Sequence, residues 1–369
     1  MKKVLAFMLA AMMMASVAVG CGNDSNTSST ESTGTDSTAS TDNNEEPSEA
    51  GTDASDVSIG SCVYKFDDTF MTGVRNTMTA RAEELGAKID IVDSQNKQPT
   101  QNEQVDTFIT KGVNALIVNP VDLTAAGPII TKAKDADLPI VLQNRQPSEE
   151  DMNSYDKAWY VGCRAEQSGT MSGEIIADYF TAHPEADKNG DGKVQYVMIQ
   201  GEPGHQDATL RSEYAPKAIE EAGFGVEQLA ADTAMWDKVK ATDLMAAFIS
   251  SQGIDKIEAV LCNNDDMALG AIEALKAEGY NSGDESKYIP VVGVDATAPA
   301  LEAMKDGSLL GTVLNDATSQ GNASVNIAVA AAQGKEITEE NIGFPVTDDK
   351  YVWVDYVKVT QDNYQDYMS

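Results

Sequence analysis

The stretch VSIGSCVYKFDDTFMTGVRNTMTARAEELGAKIDIVDS, residues 57–94, decides the fold class of this chain. It opens with a β-branched run, VSIGSCVYK, and passes into TGVRNTMTARAEELG, where apolar residues recur at helical spacing before a closing glycine. A second β-branched run, KIDIVDS, completes it. Strand, helix and strand in that order form a βαβ unit, whose two strands lie parallel. The rhythm continues outward with strand-like NALIVNP and LPIVLQN, separated by the helical stretches QNEQVDTFITKG and AAGPIITKAKDAD. The pattern predicts a parallel sheet with helices on both faces.

A second set follows: VQYVMIQG, GVEQLAADT, EAVLCNN, IPVVGVD and LLGTVLND, separated by helices such as ATLRSEYAPKAIEEAG and DMALGAIEALKAEG. The roughly 310 residues after Asp56 are too many for one small doubly wound sheet, so two lobes are expected. Open α/β sheets bind ligands beyond the carboxyl ends of their strands, and two facing lobes would turn those ends into a cleft.

Those strand ends carry the chain's most polar chemistry: Asp67 and Asp68, Asn144, GEPGHQD with His205 and Asp207, Asn263 and Asn264, Asp295, and Asn315 with Asp316. Any one of them reads equally well as a turn or helix-cap residue. A whole set ending at one edge is harder to assign to caps alone. Among them stand aromatic residues in polar surroundings, Phe70 and Trp236. A flat ring suits the C–H face of a pyranose, while carboxylates, amides and a guanidinium suit its hydroxyls, so the combination favours a sugar cleft.

The flanking sequence limits the alternatives. With 26 Lys plus Arg against 59 Asp plus Glu, the formal net charge is -33, which repels phosphate backbones and makes nucleic acid an unsuitable partner. MKKVLAFMLAAMMMASVAVG, residues 1–20, has the charged start, short apolar run and small residues of a secretory signal peptide. Cys21 follows at once, in a setting that resembles a bacterial lipobox with Ala18 where Leu is usual, so Cys21 is the expected lipidation site. Residues 21–56 then read as a lipid-anchored disordered tether without an aromatic, Lys or Arg, with a span of roughly 30 to 35 Å. Cys62, Cys163 and Cys262 have apolar neighbours and read as buried small hydrophobes.

In chain order, YKFDDTFM, DSQN, GEPGHQDA, DTAMW, NNDDMALGAIEALKA, GVDA and GTVLNDA closely resemble the galactose/glucose-binding members of the type I substrate-binding proteins of ABC sugar transporters. The resemblance runs from about Val57 to the C-terminus. It implies an α/β fold of two Rossmann-like lobes with parallel-type sheets joined by a three-crossing hinge, the type I periplasmic binding protein fold. The expected lobes are 57–162 plus about 315–344, and 163–314 plus about 345–369. A D-galactose or D-glucose molecule would lie between them, delivered to an ABC permease by hinge closure. The resemblance also leaves room for a chemoreceptor or sensor kinase as partner, and for a related monosaccharide as ligand.

Carried over residue by residue, the resemblance assigns sugar binding to Asp68, Phe70 and Asn144 of the first lobe. From the second it assigns His205, Asp207, Arg211, Trp236, Asn264 and Asp295, with Asn315 near a hinge. Phe70 and Trp236 would sandwich the ring. The carboxylates then serve hydroxyl binding, so no catalysis is expected. The expected location is extracytoplasmic, tied to the cell membrane by lipid alone.

One further stretch resembles an interrupted calcium loop. DKNGDGKVQ, residues 187–195, has oxygen-bearing residues at its first, third and fifth places and Gly192 at the sixth, yet Met198 stands where an EF-hand has its bidentate Glu. On its own the loop is equally a metal-free Asp/Asn/Gly turn. The family resemblance supplies Glu258 as the missing carboxylate. Asp187, Asn189, Asp191, Gln195, the Lys193 carbonyl and a bidentate Glu258 would then give a structural Ca2+ about seven oxygens, within the usual range of about 6 to 8.

Overall fold

The computed structural model describes residues 53–368. The first strands and helices alternate as β1 (Ser58–Val63), α1 (Thr69–Leu85), β2 (Lys88–Asp93), α2 (Gln98–Lys111), β3 (Ala115–Val118), α3 (Ala126–Asp135), β4 (Ile140–Gln143), α4 (Glu149–Asn153) and β5 (Ala158–Gly162). Continuing along the chain come α5 (Ala165–Ala182), β6 (Lys193–Gln200), α6 (Gln206–Glu221), β7 (Gly225–Thr233), α7 (Lys238–Gln252), β8 (Ala259–Cys262), α8 (Asp265–Ala277), β9 (Val291–Val292), α9 (Ala298–Lys305) and β10 (Thr312–Leu314). The last elements are α10 (Ala317–Ala332), α11 (Glu339–Ile342), β11 (Tyr351–Trp353) and β12 (Val357–Val359).

Two parallel sheets result, one in each lobe. The first has strand order β11-β5-β4-β3-β1-β2, the second β7-β6-β8-β9. Single parallel bridges, Val292 to Gly311 and Asp295 to Leu314, extend the second sheet towards β10, which pairs antiparallel with β12. The chain therefore passes between lobes three times, after β5, after β10 and after β11.

Two corrections to the expected boundaries follow. Residues 345–369 were assigned to the second lobe, but β11 pairs with β5 at the edge of the first sheet, so the third crossing falls between Trp353 and Val357. The tether was expected to run through Asp56, whereas Ala54–Asp56 form a 3-10 turn capped by the Asp53 carboxylate, with Ala54 against the first-lobe core. The signal peptide, Cys21 and the rest of the tether lie outside the described residues.

Each sheet is covered on both faces by its own apolar clusters. In the first lobe Val74, Met78, Ile117 and Val325 pack on the α1 and α10 side, and Phe108, Ile129, Leu142 and Tyr160 on the other. In the second, Phe180, Ile219 and Leu261 pack on the α5 and α6 side, and Met245, Val260, Leu275 and Met304 opposite. The chain ends α1 with Gly86 in the left-handed region, φ 77°, where a side chain would be strained. Cys62, Cys163 and Cys262 are free and buried. Burial pushes the Cys62 thiol up to about 12 and the other two higher still, so none is a ready thiolate. Among the described residues no helix is long and apolar enough to cross a membrane.

Candidate functional site

The cleft is built from the places where strands end and helices begin. Asp68 caps α1 by accepting from the Met71 amide at 2.7 Å, His205 caps α6 through Nδ1 from the Asp207 amide at 3.1 Å, and Asn264 caps α8 from the Met267 amide at 3.0 Å. All three also line one cavity between the lobes, so the cap and ligand readings of these residues are compatible. The helix N-termini bring their partial positive ends to the same place.

That cavity, with about 360 Å3 of empty space, is lined by all ten residues singled out for sugar binding: Asp68, Phe70, Asn144, His205, Asp207, Arg211, Trp236, Asn264, Asp295 and Asn315. Tyr64, Met71 and Arg145 complete the wall. Asp67 is excluded, its side chain exposed beside Lys65, and Asp316 only caps α10. Asn263 supports from behind, accepting from Arg211 through its carbonyl at 2.9 Å.

Three lining residues have left-handed backbone: Asn144 (φ 63°), Trp236 (φ 61°) and Asp295 (φ 124°). Non-glycine residues rarely adopt such angles, and their concentration at one cavity marks a site whose side-chain directions are set against local preference. Gly201 makes room for the Trp236 ring, because a Cβ there would stand 2.1 Å from Trp236 Cζ2. His205 lies edge-on to that ring at 5.1 Å between centroids.

The charges in the wall are held in defined states. Arg211 is fully buried yet donates to Ser168 Oγ, the Asn263 carbonyl, Asp207 and Tyr356 OH, so its guanidinium is satisfied on three sides. Burial pushes the Asp207 carboxyl up, opposed by the Arg211 and Arg145 guanidinium groups, and the charge-assisted bond at 3.1 Å favours its ionised form. Burial also raises Asp295 strongly, against the pull of Arg211. His205 is driven well below its ordinary value by burial and by Arg145 and Arg211, so it is neutral. With Nδ1 accepting from a backbone amide, its proton sits on Nε2 as a donor.

Sequence reading missed Tyr64 and Arg145. Tyr64 donates to Asp68 Oδ2 at 2.5 Å, and the Arg145 guanidinium lies 4.2 Å over the Tyr64 ring. Arg145 also pairs with Glu202 of the other lobe. Further bonds close the mouth: Thr69 Oγ1 donates to Asp266 at 2.8 Å, Asn96 to Glu202 at 3.2 Å and Gln206 to Gln146 at 3.2 Å.

The second site of interest is the loop before β6. Asp187 Oδ2 accepts from the Gly192 amide at 2.8 Å, and its Oδ1 from the Gly190 amide at 2.7 Å. Asn189 accepts from the Asp191 amide, and Asp191 from the Lys193 amide and Gln195 Nε2. Glu258, buried just before β8, joins this loop by accepting from the Lys188 amide at 2.7 Å and the Gln195 amide at 3.0 Å. Met198 is buried in the core and unable to serve as a ligand. Among the described residues no group of three His, Cys, Asp or Glu side chains converges as a metal cluster. The donor set nonetheless suits a hard cation through amide and carbonyl oxygens, and the buried Gln195 Oε1 has no hydrogen-bond partner.

A deep polar cleft between two α/β lobes joined by three crossings defines a solute-binding protein rather than a scaffold. Residues 59–336 match the model of the periplasmic binding protein domain, and the chain belongs to that family. It is 42% identical over 322 residues to the D-galactose/methyl-galactoside binding periplasmic protein of Haemophilus influenzae, covering 87% of this chain and 95% of that one. It is 30% identical over 284 residues to the xylitol-binding protein of Mycolicibacterium smegmatis, covering 77% and 74%. Among solved structures, an ABC transporter solute binding protein from Bacillus halodurans with bound myo-inositol superposes with a TM-score of 0.71 at 33% identity, covering 85% of this chain and 97% of that one.

Proposed function

We propose that this chain is an extracytoplasmic receptor that binds D-galactose or D-glucose between its lobes and delivers the sugar to an ABC permease by hinge closure. The observation that carries this reading is the convergence on one interlobe cavity of two aromatic rings, Phe70 and Trp236, with carboxylates, amides, His205 and Arg211. Rings suit the C–H face of a hexose, and acceptor-only carboxylates beside N–H donors suit its hydroxyls. The relatives' names support it: a galactoside, xylitol and myo-inositol are all polyhydroxylated. Titration calorimetry with each hexose tests the reading, and absence of heat with both overturns it. Deleting the gene and measuring labelled galactose uptake separates transport from a purely chemosensory role, in which uptake stays normal.

Two subsidiary proposals accompany this. Lipidation of Cys21 would hold the receptor at the membrane while leaving the lobes free, supported by the lipobox-like sequence and the polar segment after it. Labelling with a radioactive fatty acid, lost in Cys21→Ser, tests it. A structural Ca2+ would occupy the loop of Asp187, Asn189, Asp191, Lys193 and Gln195 together with Glu258. The meeting of Glu258 with that loop and the unpartnered Gln195 oxygen support this assignment.

A further inference from the structure

The first two crossings between lobes meet in a buried polar knot. Asn315 follows β10 at the second crossing, and its Oδ1 accepts from Gln320 Nε2 of α10 at 2.6 Å and from the Cys163 thiol at 3.3 Å. Cys163 stands at the first crossing, and Gln320 Nε2 also lies 3.3 Å from its sulfur. The other end of the Asn315 amide, Nδ2, donates to Asp295 Oδ1 at 3.1 Å. Cys163, Gln320 and Asn315 are 8%, 0% and 2% exposed, so water cannot substitute for these partners.

A carboxamide can present oxygen or nitrogen in either direction after a half-turn, and its neighbours decide which. Here the oxygen is saturated by two donors on the hinge side, leaving the nitrogen on the side of Asp295 and the cavity. One Asn315 N–H is used by Asp295 and the other is free for a ligand. An N–H donor beside a carboxylate acceptor offers the two complementary bonds that an alcohol group can make at once.

We propose that Cys163 and Gln320 are positioning residues that lock the Asn315 amide with its N–H donors towards the cleft, so that the hinge itself sets how one ligand hydroxyl is read. This rests on the sugar-site reading above. The geometry adds that the lock spans both lobes, because Gln320 belongs to the first lobe's α10 while Asp295 and β10 belong to the second. Closing the lobes and orienting the amide are then one event.

The test uses the full chain with Cys163→Ala/Gln320→Met, which removes both donors to the Asn315 oxygen without adding a charge. Affinities are measured for the better-bound hexose and its set of monodeoxy analogues. The expected result is at least tenfold weaker hexose binding, with the deoxy penalty collapsing at one hydroxyl and unchanged at the others. Cys163→Ser, which keeps a donor, should stay within about twofold of the parent. If the double variant does not fold, Gln320→Met alone should show the same single collapsed penalty to a smaller degree. Hexose binding within twofold of the parent, or a loss with every deoxy penalty intact, overturns the proposal. A parent protein that binds no hexose instead sinks the site reading, and this proposal with it.

Discussion

The Arg145 guanidinium of the first lobe donates to the Glu202 carboxylate of the second at 2.7 Å, with the two side chains 4% and 14% exposed. Glu202 also accepts from Asn96, so it reaches into two first-lobe groups, while Arg145 donates in addition to the Val121 carbonyl. Removing one partner of a desolvated pair leaves the other charge buried and costs about 2–5 kcal/mol, expressed mainly in dissociation. The pair joins the two lobes, so any parting of the lobes that releases a ligand has to break it. Glu202→Gln should therefore speed sugar release at least tenfold with little change in association, and the charge swap Arg145→Glu/Glu202→Arg should recover part of that loss. Stopped-flow kinetics decide it, and an unchanged release rate rules out the pair as a brace of the closed cleft.

Trp236 holds its ring against the cavity through a left-handed backbone and the space left by Gly201. Trp236→Ala should weaken hexose binding by roughly two- to twelvefold or more, the equivalent of about 0.5 to 1.5 kcal/mol for an aromatic contact. Gly201→Ala should weaken it comparably although it touches no ligand, since its Cβ occupies the ring's position. Calorimetry of both variants checks this pair of outcomes. A silent Gly201→Ala would mean that the ring can move without leaving the sugar.

Asp265 is fully buried beside the second crossing, where it accepts from Thr312 Oγ1 at 2.6 Å and from the Thr297 amide at 2.8 Å. Burial nevertheless pushes its carboxyl up from 3.8 to about 6. An acid raised in this way keeps its proton in the folded chain where the unfolded chain has released it, so stability falls as pH rises from about 3.8 to about 6 and stays lowered above. At roughly 1.4 kcal/mol per pH unit, the deficit at neutral pH is at most about 3 kcal/mol. Asp265→Asn can keep its oxygen on the Thr297 amide and donate to Thr312. It should raise the denaturant midpoint at pH 7, with the advantage shrinking as pH falls from about 6 to about 4 and gone below that. Midpoints across that range test the sign.

The strand ends were legible because one edge collects helix caps, acceptors and rings, and that edge is fixed by the βαβ rhythm alone. Distinguishing Asp68 from Asp67, or Asn315 from Asp316, was not a matter of periodicity. It depended on the family resemblance, since both members of each pair are plausible caps. Arg145 was hidden for a different reason. Its direction follows from the left-handed turn at Asn144, and its partner Glu202 lies 57 residues away in the other lobe, so no local pattern joins them. The boundary error at residues 345–353 has a similar origin. β11 is a three-residue edge strand, too short to carry a period, and its place depends on pairing with β5 far earlier in the chain.

The loop at residues 187–193 packs four oxygens of the Asp187, Asn189 and Asp191 side chains round its own amides, while Glu258 spans from the turn at Lys188 to β6 at Gln195. Burial raises the Glu258 carboxyl and the nearby Asp187 charge adds to this, against the two backbone amides and Lys188 that hold it ionised. A divalent cation at this place would offset the mutual repulsion and tie the loop to the start of β8. If the proposed calcium is bound, a chelator should lower the melting temperature of the sugar-free protein, and excess Ca2+ should restore it. Occupancy at a hundredfold excess over Kd contributes about 2.7 kcal/mol of folding stability. Glu258→Gln keeps the volume and one acceptor but removes the charge, so it should melt at a lower temperature and lose most of its response to chelator. A parent protein indifferent to chelator and calcium alike would show that the loop is held by its Asp and Asn turns alone.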